Sequence, residues 1–176
     1  MSMVNFSGLS VSESSLRRAR RVVEERPAGS IRTADDVLES LRKMMPGWTI
    51  TTSSSEWVEG FRNIEIDRDI LQQMADDPEK MAAYKALILD IAETAPELEE
   101  WGRQNPGQTI EFGVALAADG TVTALAIVRT LMGGEINTTF ELPDDRSTWS
   151  DFIRERLDGL TRGEVEDAYG NRSWLA

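Results

Sequence analysis

Hydrophobic residues recur along this chain at two spacings, every third or fourth position in some segments and every second position in others. Helical spacing, together with capping residues, predicts helices over residues 12–26 and 33–45 and further helices that begin at Asp77-Pro78, Thr94, Thr148 and Thr161. Alternation predicts a strand pair over residues 48–52 and 61–66 and a three-strand meander over residues 110–142. The predicted fold is therefore α+β, an antiparallel sheet of about four to five strands covered by helices, with an N-terminal helical arm.

The Asp119-Gly120 pair predicts the turn between the first two strands of the meander. A two-residue turn gives one bulky and one small face, with Phe112 opposite Ile127, Val114 opposite Leu125, Gly113 opposite Ala126 and Ala115 opposite Ala124. Small residues let a helix approach closely, so we expect both faces to be covered, whereas a type I turn with a bulge would shift this register. The third strand, over residues 135–142, has a polar side that marks it as an edge strand.

The composition restricts the chemistry that this chain can perform. Its 176 residues include no histidine and no cysteine, and 31 acidic residues stand against 19 basic ones. Histidine is the side chain that most readily carries protons near neutral pH, and cysteine is the strongest side-chain nucleophile. Their absence excludes disulfides, zinc fingers and haem attachment. We therefore expect a protein that is not an enzyme and that has no cofactor and no metal site.

The net charge of −12 is unevenly distributed along the chain. Residues 1–32 carry +3, residues 33–143 carry −12 from 20 acids and eight bases, and residues 144–176 carry −3. This division predicts a basic N-terminal helical arm over residues 1–30 and an acidic α+β domain over residues 31–176. The acidic domain would repel phosphates, so we do not expect direct binding of nucleic acid.

Signals for a membrane or for secretion are missing from the sequence. No segment approaches ~18 consecutive apolar residues, and the N-terminus lacks a positively charged region followed by an apolar run. We therefore expect no membrane contact and a cytoplasmic location. The sequence does not indicate an oligomeric state.

Two clusters of carboxylates allow two interpretations. Asp67 and Asp69, with Asp76, Asp77 and Glu79, could supply oxygen ligands to a divalent cation, although neither cluster has the spacing of a calcium loop. Alternatively, Asp67 and Asp77 cap helices, while Asp69 and Glu79 lie in first turns, where the helix dipole favours negative charge. We prefer the second interpretation.

Other residues are candidates for contact with a protein partner. Glu97, Glu99 and Glu100 beside Trp101 suggest an acidic patch around an aromatic anchor, although such a run is also typical of a solvated helix face with one buried tryptophan. Trp57 is a second candidate anchor. The arm contributes four arginines that could contact a partner, nucleic acid or the acidic domain of the same chain: Arg17, Arg18, Arg20 and Arg21.

One segment resembles a known family. It begins at Ile64, and its matching positions are Ile64, Ile66, Ile70, Leu71, Met74, Ala75, Asp77, Pro78, Glu79 and Lys80. A helix and an Asp119-Gly-Thr-Val122 hairpin follow, so the resemblance covers roughly residues 61–125. The segment is similar to uncharacterised bacterial proteins found in genomes rich in mobile elements, whose pattern has proline at Arg68 and an aromatic residue at Ala83. The resemblance implies a bacterial origin and brings no activity or catalytic residue.

These observations predict a non-catalytic protein that acts by binding another protein. An acidic surface can imitate the phosphates of nucleic acid and occupy the basic groove of a nucleic-acid enzyme, as anti-CRISPR-type inhibitors carried by phages or mobile elements do. Two alternatives remain open. One is a metal-dependent enzyme with Asp and Glu ligands, and the other is a structural subunit of a bacterial assembly whose arm docks on a neighbour.

Overall fold

The computed structural model describes residues 3–6, 9–12, 14, 16–18, 33–130, 133–161, 164–166 and 172–174. The helices are α1 (Ala34–Met44), α2 (Arg68–Asp76), α3 (Pro78–Gln104) and α4 (Trp149–Thr161), with 3₁₀ turns at Ser54–Glu56 and Arg146–Thr148. The strands are β1 (Met3–Phe6), β2 (Leu9–Ser12), β3 (Thr49–Thr51), β4 (Gly60–Ile66), β5 (Gln108–Leu116), β6 (Val122–Thr130), β7 (Glu135–Glu141), β8 (Glu164–Glu166) and β9 (Arg172–Trp174). The predicted α+β class is confirmed.

A five-stranded sheet in the order β3-β4-β5-β6-β7 forms the centre of the fold. The meander β5-β6-β7 is antiparallel as predicted, but β3 and β4 run parallel, as do β4 and β5, so the sheet is mixed. The helices α2 and α3 make the crossover from β4 to β5, as parallel pairing requires. The crossover from β3 to β4 consists of residues 52–59 alone, and we call this segment the crossover loop.

The register that a two-residue turn would give between β5 and β6 is wrong by one residue, and the register is shifted as expected for the alternative, a longer turn. Phe112 lies opposite Ala126, and Gly113 lies opposite Leu125. The cause is a longer turn, because the N–H of Ala117 donates to the carbonyl of Thr121 at 3.0 Å and Gly120 adopts a φ of +86°. Each face of the sheet therefore pairs bulky residues with small ones.

The two faces of the sheet have different surroundings. The inner face carries Ile64, Phe112 and Val114, which belong to one buried cluster with residues of all four helices. The outer face carries Gly113 and Leu125, and the crossover loop lies against it. Helices therefore cover one face of the sheet within the described residues, instead of both as expected.

The helix α3 is longer than the sequence predicts. A separate helix was expected to begin at Thr94, but α3 continues without interruption through Pro96 to Gln104. The hydroxyl of Thr94 donates to the carbonyl of Ile91 at 2.7 Å, so it does not cap a new helix. Burial of Leu98 and Trp101 in the core favours the continuous helix.

The chain termini also differ from expectation. The predicted last helix beginning at Thr161 is wrong, because β8 pairs with β9 in an antiparallel hairpin. A second hairpin is formed by β1 and β2, and it includes Ser12, where the arm helix was predicted to begin. Residues 14 and 16–18 are helical as predicted, and the rest of the predicted arm helix after them lies outside the described residues.

Within the described residues, no helix combines the length and the apolar character needed to cross a membrane.

Candidate functional site

The carboxylates around the start of α3 are tied to helix ends. Asp67 caps α2 by accepting the N–H of Asp69 at 2.8 Å, and Asp77 caps α3 by accepting the N–H of Glu79 at 2.9 Å. Asp76 accepts from the side chain of Gln72 at 3.0 Å. Each of the capping contacts satisfies an N–H that the helix itself cannot bond. The exposed carboxylates of Asp69 and Glu79 make no ion pair with any described residue.

The acids near the end of α3 form a second group. Glu99 makes an ion pair with Arg62 on β4, and Glu100 pairs with Arg103 one turn away. The hydrogen bond from Arg62 lowers the pKa of Glu99 below its ordinary value, while partial burial acts in the opposite direction. Glu97 is exposed and has no ion-pair partner among the described residues. The candidate acids therefore lie in two groups at opposite ends of α3.

Helix geometry relates the two groups to each other. Glu79 and Glu97 lie about five turns apart along α3, so they point from the same side of the helix and are separated by about 27 Å. The stretch of this side between them carries Ala82 and Ala86, both buried. We call the exposed acids on the two ends of this side the α3 acidic face: Glu79, Glu97 and Glu100.

The bases of residues 33–143 are all engaged within the protein. Five form ion pairs with acids of the same segment: Lys43, Arg62, Arg68, Arg103 and Arg129. Arg42 donates to the carbonyl of Ile50 at 2.8 Å, Lys80 donates to Gln73 at 3.2 Å, and Lys85 is buried with 1% of its surface exposed. Because residues 33–143 carry 20 acids and eight bases, the remaining acids have no base within this segment to balance their charge.

The two candidate anchor tryptophans lie in the interior. Trp101 is 5% exposed, and its indole N–H donates to a carboxylate oxygen of Asp158 at 2.6 Å. Trp57 is 7% exposed and lies against Gly113 on the outer face of the sheet. Both rings are already surrounded by the protein's own residues. This corrects their proposed role as surface anchors, because a hot-spot ring has to be accessible to the partner.

The described part of the arm docks on α3. Leu16 is buried against Ala82 and Ala86, where small side chains permit close approach. Arg18 forms an ion pair with Glu93 at 2.9 Å, one turn before Glu97. Arg17 is exposed, whereas Arg20 and Arg21 lie outside the described residues. Arg18 of the arm therefore contacts the acidic domain of its own chain.

The acidic residues do not assemble a metal site in the described part of the chain. No three of its carboxylates lie close enough together to hold a metal ion. The side chains of Asp67 and Asp77, one from each candidate cluster, instead accept backbone N–H groups.

The outer face of β6 was not predicted from the sequence, because the register expected between β5 and β6 differs from the observed one by one residue. With β6 shifted by one residue, Leu125 and Ile127 turn to the outer face, and both lie outside the buried clusters. Val58 of the crossover loop is also exposed, and its backbone makes two hydrogen bonds of 2.9 Å with the side chain of Asn63 on β4. The turn type was the signal that would have located this face.

The comparisons with known proteins yielded one match. Residues 51–138, half of the chain, match the model of a family described as protein of unknown function (DUF6033). The matched range includes residues 61–125, so the expected relation to an uncharacterised family is confirmed. Searches of the curated proteins and of the solved structures found no match.

Proposed function

We propose that this chain, which belongs to the DUF6033 family, is a non-catalytic protein-binding module that occupies the basic groove of a nucleic-acid-processing enzyme. In this proposal it is a bacterial inhibitor of the anti-CRISPR type, carried by a phage or mobile element, and it acts in the cytoplasm. The observation that carries the proposal is the internal engagement of all eight bases of residues 33–143. Two members of the α3 acidic face, Glu79 and Glu97, therefore meet solvent without an ion-pair partner among the described residues, whereas Glu100 is paired with Arg103.

Exposed carboxylates without an ion-pair partner, such as those of Glu79 and Glu97, favour a basic partner for a physical reason. A groove that binds nucleic acid has a high positive potential, and a protein of opposite charge is steered into it at long range. Charge complementarity of this kind increases the association rate and suppresses wrong partners. The net charge of −12 therefore selects strongly among possible partners.

The dimensions of α3 support the same kind of partner. Glu79 and Glu97 are separated by about 27 Å along one side of α3. One turn of duplex DNA is about 34 Å long, so a groove that accommodates one turn also accommodates this spacing. The rigid helix holds its carboxylates at fixed positions before binding, which reduces the entropy lost on association.

Affinity capture from a nuclease-treated bacterial lysate tests the proposal. The tagged protein is the bait at about 0.1 M and at about 0.5 M salt, where the Debye length falls from about 10 Å towards the 3 Å of 1 M salt. Mass spectrometry identifies the captured proteins. We expect a nucleic-acid-processing enzyme at low salt that is lost at high salt.

A pair of matched variants assigns the binding to a surface. Glu79→Lys with Glu97→Lys reverses two charges on the α3 acidic face, and Glu56→Lys with Glu59→Lys reverses two exposed charges in the crossover loop. Both double variants change the net charge equally. The α3 variant should lose the enzyme while the crossover-loop variant retains it. Equal capture by both variants, or capture that ignores salt, would contradict the proposal.

A further inference from the structure

The strand β7 is a free edge of the central sheet. It pairs with β6 on one side, and the sheet ends there in the part of the chain that the structure describes. The strand has seven residues, whereas β3 at the opposite edge has three. A long free edge exposes a row of unpaired N–H and C=O groups that can template another strand.

The hydrogen-bond pattern identifies which groups of β7 are free. Leu142 donates its N–H to the carbonyl of Val122 at 3.0 Å, and Thr130 donates to the carbonyl of Gly134 at 2.9 Å, one at each end of the β6–β7 ladder. Antiparallel pairs alternate between bonded and non-bonded. Counting from either end, alternate β7 residues bond inward to β6, and the residues between them direct their N–H and C=O groups to the free edge: Glu135, Asn137, Thr139 and Glu141.

The same four residues carry the exposed side chains of β7. They lie on the outer face, whereas Ile136 and Phe140 are half-buried on the inner face. Glutamate stands at both ends of the row, with the short polar side chains of Asn137 and Thr139 between. Glu135 and Glu111 share one guanidinium, that of Arg129, so a negative charge remains at this end. Glu141 has no ion-pair partner among the described residues.

The charges of this edge disfavour a second copy of the chain as its occupant. Antiparallel self-pairing centred on Thr138 would place Glu135 of each copy opposite Glu141 of the other. Like charges directly opposite each other destabilise a strand pair, and each copy carries a net charge of −12. Opposite charges in the same positions stabilise the pair.

We propose that β7 binds an extended basic segment of a partner protein by strand addition. Backbone bonds to Asn137 and Thr139 supply affinity, and lysine or arginine opposite Glu135 and Glu141 supplies specificity. Because the two glutamates are six positions apart on one face, the partner's basic residues should have the same spacing. This surface lies on a different element from the α3 acidic face, so the inference does not rest on the function proposed above.

Titration with two capped peptides tests strand addition. The first peptide, Arg-Thr-Val-Thr-Val-Thr-Arg, has basic residues at the required spacing, and the second has glutamate in their place. Binding is followed by the backbone amide signals of ¹⁵N-labelled protein. We expect the arginine peptide to shift the amides of Asn137 and Thr139 and to slow their hydrogen exchange. Saturation by the glutamate peptide at the same concentration, or no shift by the arginine peptide at millimolar concentration, would overturn the proposal.

A proline variant separates strand addition from contact with side chains. Thr139→Pro removes an N–H that points to the free edge and leaves the β6–β7 bonds intact, a position where proline is tolerated. Thr139→Ala keeps that N–H and serves as the matched control. After circular dichroism has established that both variants fold, we expect the proline variant to bind the arginine peptide at least roughly tenfold more weakly, the equivalent of one lost hydrogen bond.

Two further results would overturn the proposal that β7 binds by strand addition. Equal binding by Thr139→Pro and Thr139→Ala would overturn the proposal, because the backbone of β7 would then have no part in recognition. A wild-type dimer in sedimentation that Thr139→Pro abolishes would overturn it in favour of self-association.

Discussion

Gly113 lies directly beneath the indole ring of Trp57, and a Cβ built on Gly113 would come within 2.6 Å of the ring carbon Cη2. The absence of a side chain on β5 therefore allows the crossover loop to lie on the outer face of the sheet. The side-chain amide of Asn63 connects the same loop to β5. It donates to the carbonyl of Val58 in the loop at 2.9 Å and to the carbonyl of Phe112 on β5 at 2.8 Å. These contacts fix the short connection between the parallel strands β3 and β4.

Gly113→Ala should displace Trp57 and destabilise the protein by about 1–3 kcal/mol, the usual cost of overpacking an interior. Urea unfolding, followed by circular dichroism, measures the loss in the free energy of unfolding. Gly134→Ala is the matched control, because among the described residues its Cβ would meet only the hydroxyl of exposed Thr130, at 3.2 Å.

The double variant Gly113→Ala with Trp57→Leu tests whether the clash is the cause. A smaller side chain at position 57 leaves room for the added methyl group, so the two losses should not be additive. Simple additivity of the two single losses would show that Trp57 does not restrict position 113.

Asp90→Asn should cost about 3–5 kcal/mol, because it leaves a buried guanidinium without its counter-charge. The side chains of Asp90 and Arg146 are 7% and 8% exposed, and Arg146 Nη1 donates a hydrogen bond to Asp90 Oδ2 at 2.5 Å. Burial lowers the pKa of Arg146 below its ordinary value, and the hydrogen bond that Arg146 donates to Asp90 acts in the opposite direction. Thermal and urea unfolding measure the loss.

An exposed ion pair provides the comparison for Asp90→Asn. Glu39→Gln removes the partner of Lys43, and both side chains of that pair are more than half exposed. Its cost should be about 0.3–0.5 kcal/mol. Losses of similar size in the two variants would contradict the assignment of Arg146 and Asp90 to the interior.

Much of the helical structure could be predicted because its signals are local. Thr33 and Asp36 form the expected capping box at 3.2 Å and 3.0 Å, and Asp77-Pro78 begins α3 as predicted. The capping side chain and the N–H that it satisfies are close in sequence, so distant residues have little influence on them. The same local capping patterns correctly placed candidate acids at the ends of helices.

The errors arise where distant residues or turn geometry decide the outcome. The length of the turn before Thr121 sets the register of β6, and an Asp-Gly pair is compatible with more than one turn. The crossover loop between the parallel strands β3 and β4 packs Trp57 against Gly113, a contact between distant residues that no local pattern reveals. Thr94 has a capping pattern, but burial of Leu98 and Trp101 prevails and the helix continues.

The ion pair between Glu99 and Arg62 should make stability depend on pH in the acid range. The pKa of Glu99 in the folded protein lies below its ordinary value of 4.5, so the pair stabilises the protein above that value. This contribution is lost as the pH falls through the folded pKa. Because both side chains are partly exposed, we expect Glu99→Gln to cost only about 0.2–1 kcal/mol at pH 7.

Urea unfolding at pH 7 and at progressively lower pH measures this dependence. The difference between wild type and Glu99→Gln should shrink as the pH falls below 4.5. Glu97→Gln, two positions away, is the matched control, because it removes a carboxylate that has no ion pair in the described structure. A difference between wild type and Glu99→Gln that stays constant with pH would contradict the assigned role of Arg62.

Leu16→Ala should loosen the arm from α3. Its side chain is 7% exposed against Ala82 and Ala86, and the lost burial is worth about 1–2 kcal/mol. The detached population should rise roughly five- to thirtyfold, and brief trypsin digestion should cut faster after Arg17 and Arg18. Ser14→Ala, at an exposed position, is the control. Unchanged cleavage in Leu16→Ala would mean that the apolar contact does not hold the arm.

The most direct test of the proposed function is competition between this protein and duplex DNA for the captured enzyme. The enzyme is bound to the immobilised protein at about 0.1 M salt, and a duplex of at least one helical turn is added in increasing concentration. We predict that the DNA displaces the enzyme completely and that the Glu79→Lys, Glu97→Lys variant fails to bind it at all. An enzyme that binds the protein and the duplex at the same time would contradict the claim that the α3 acidic face occupies a nucleic-acid groove.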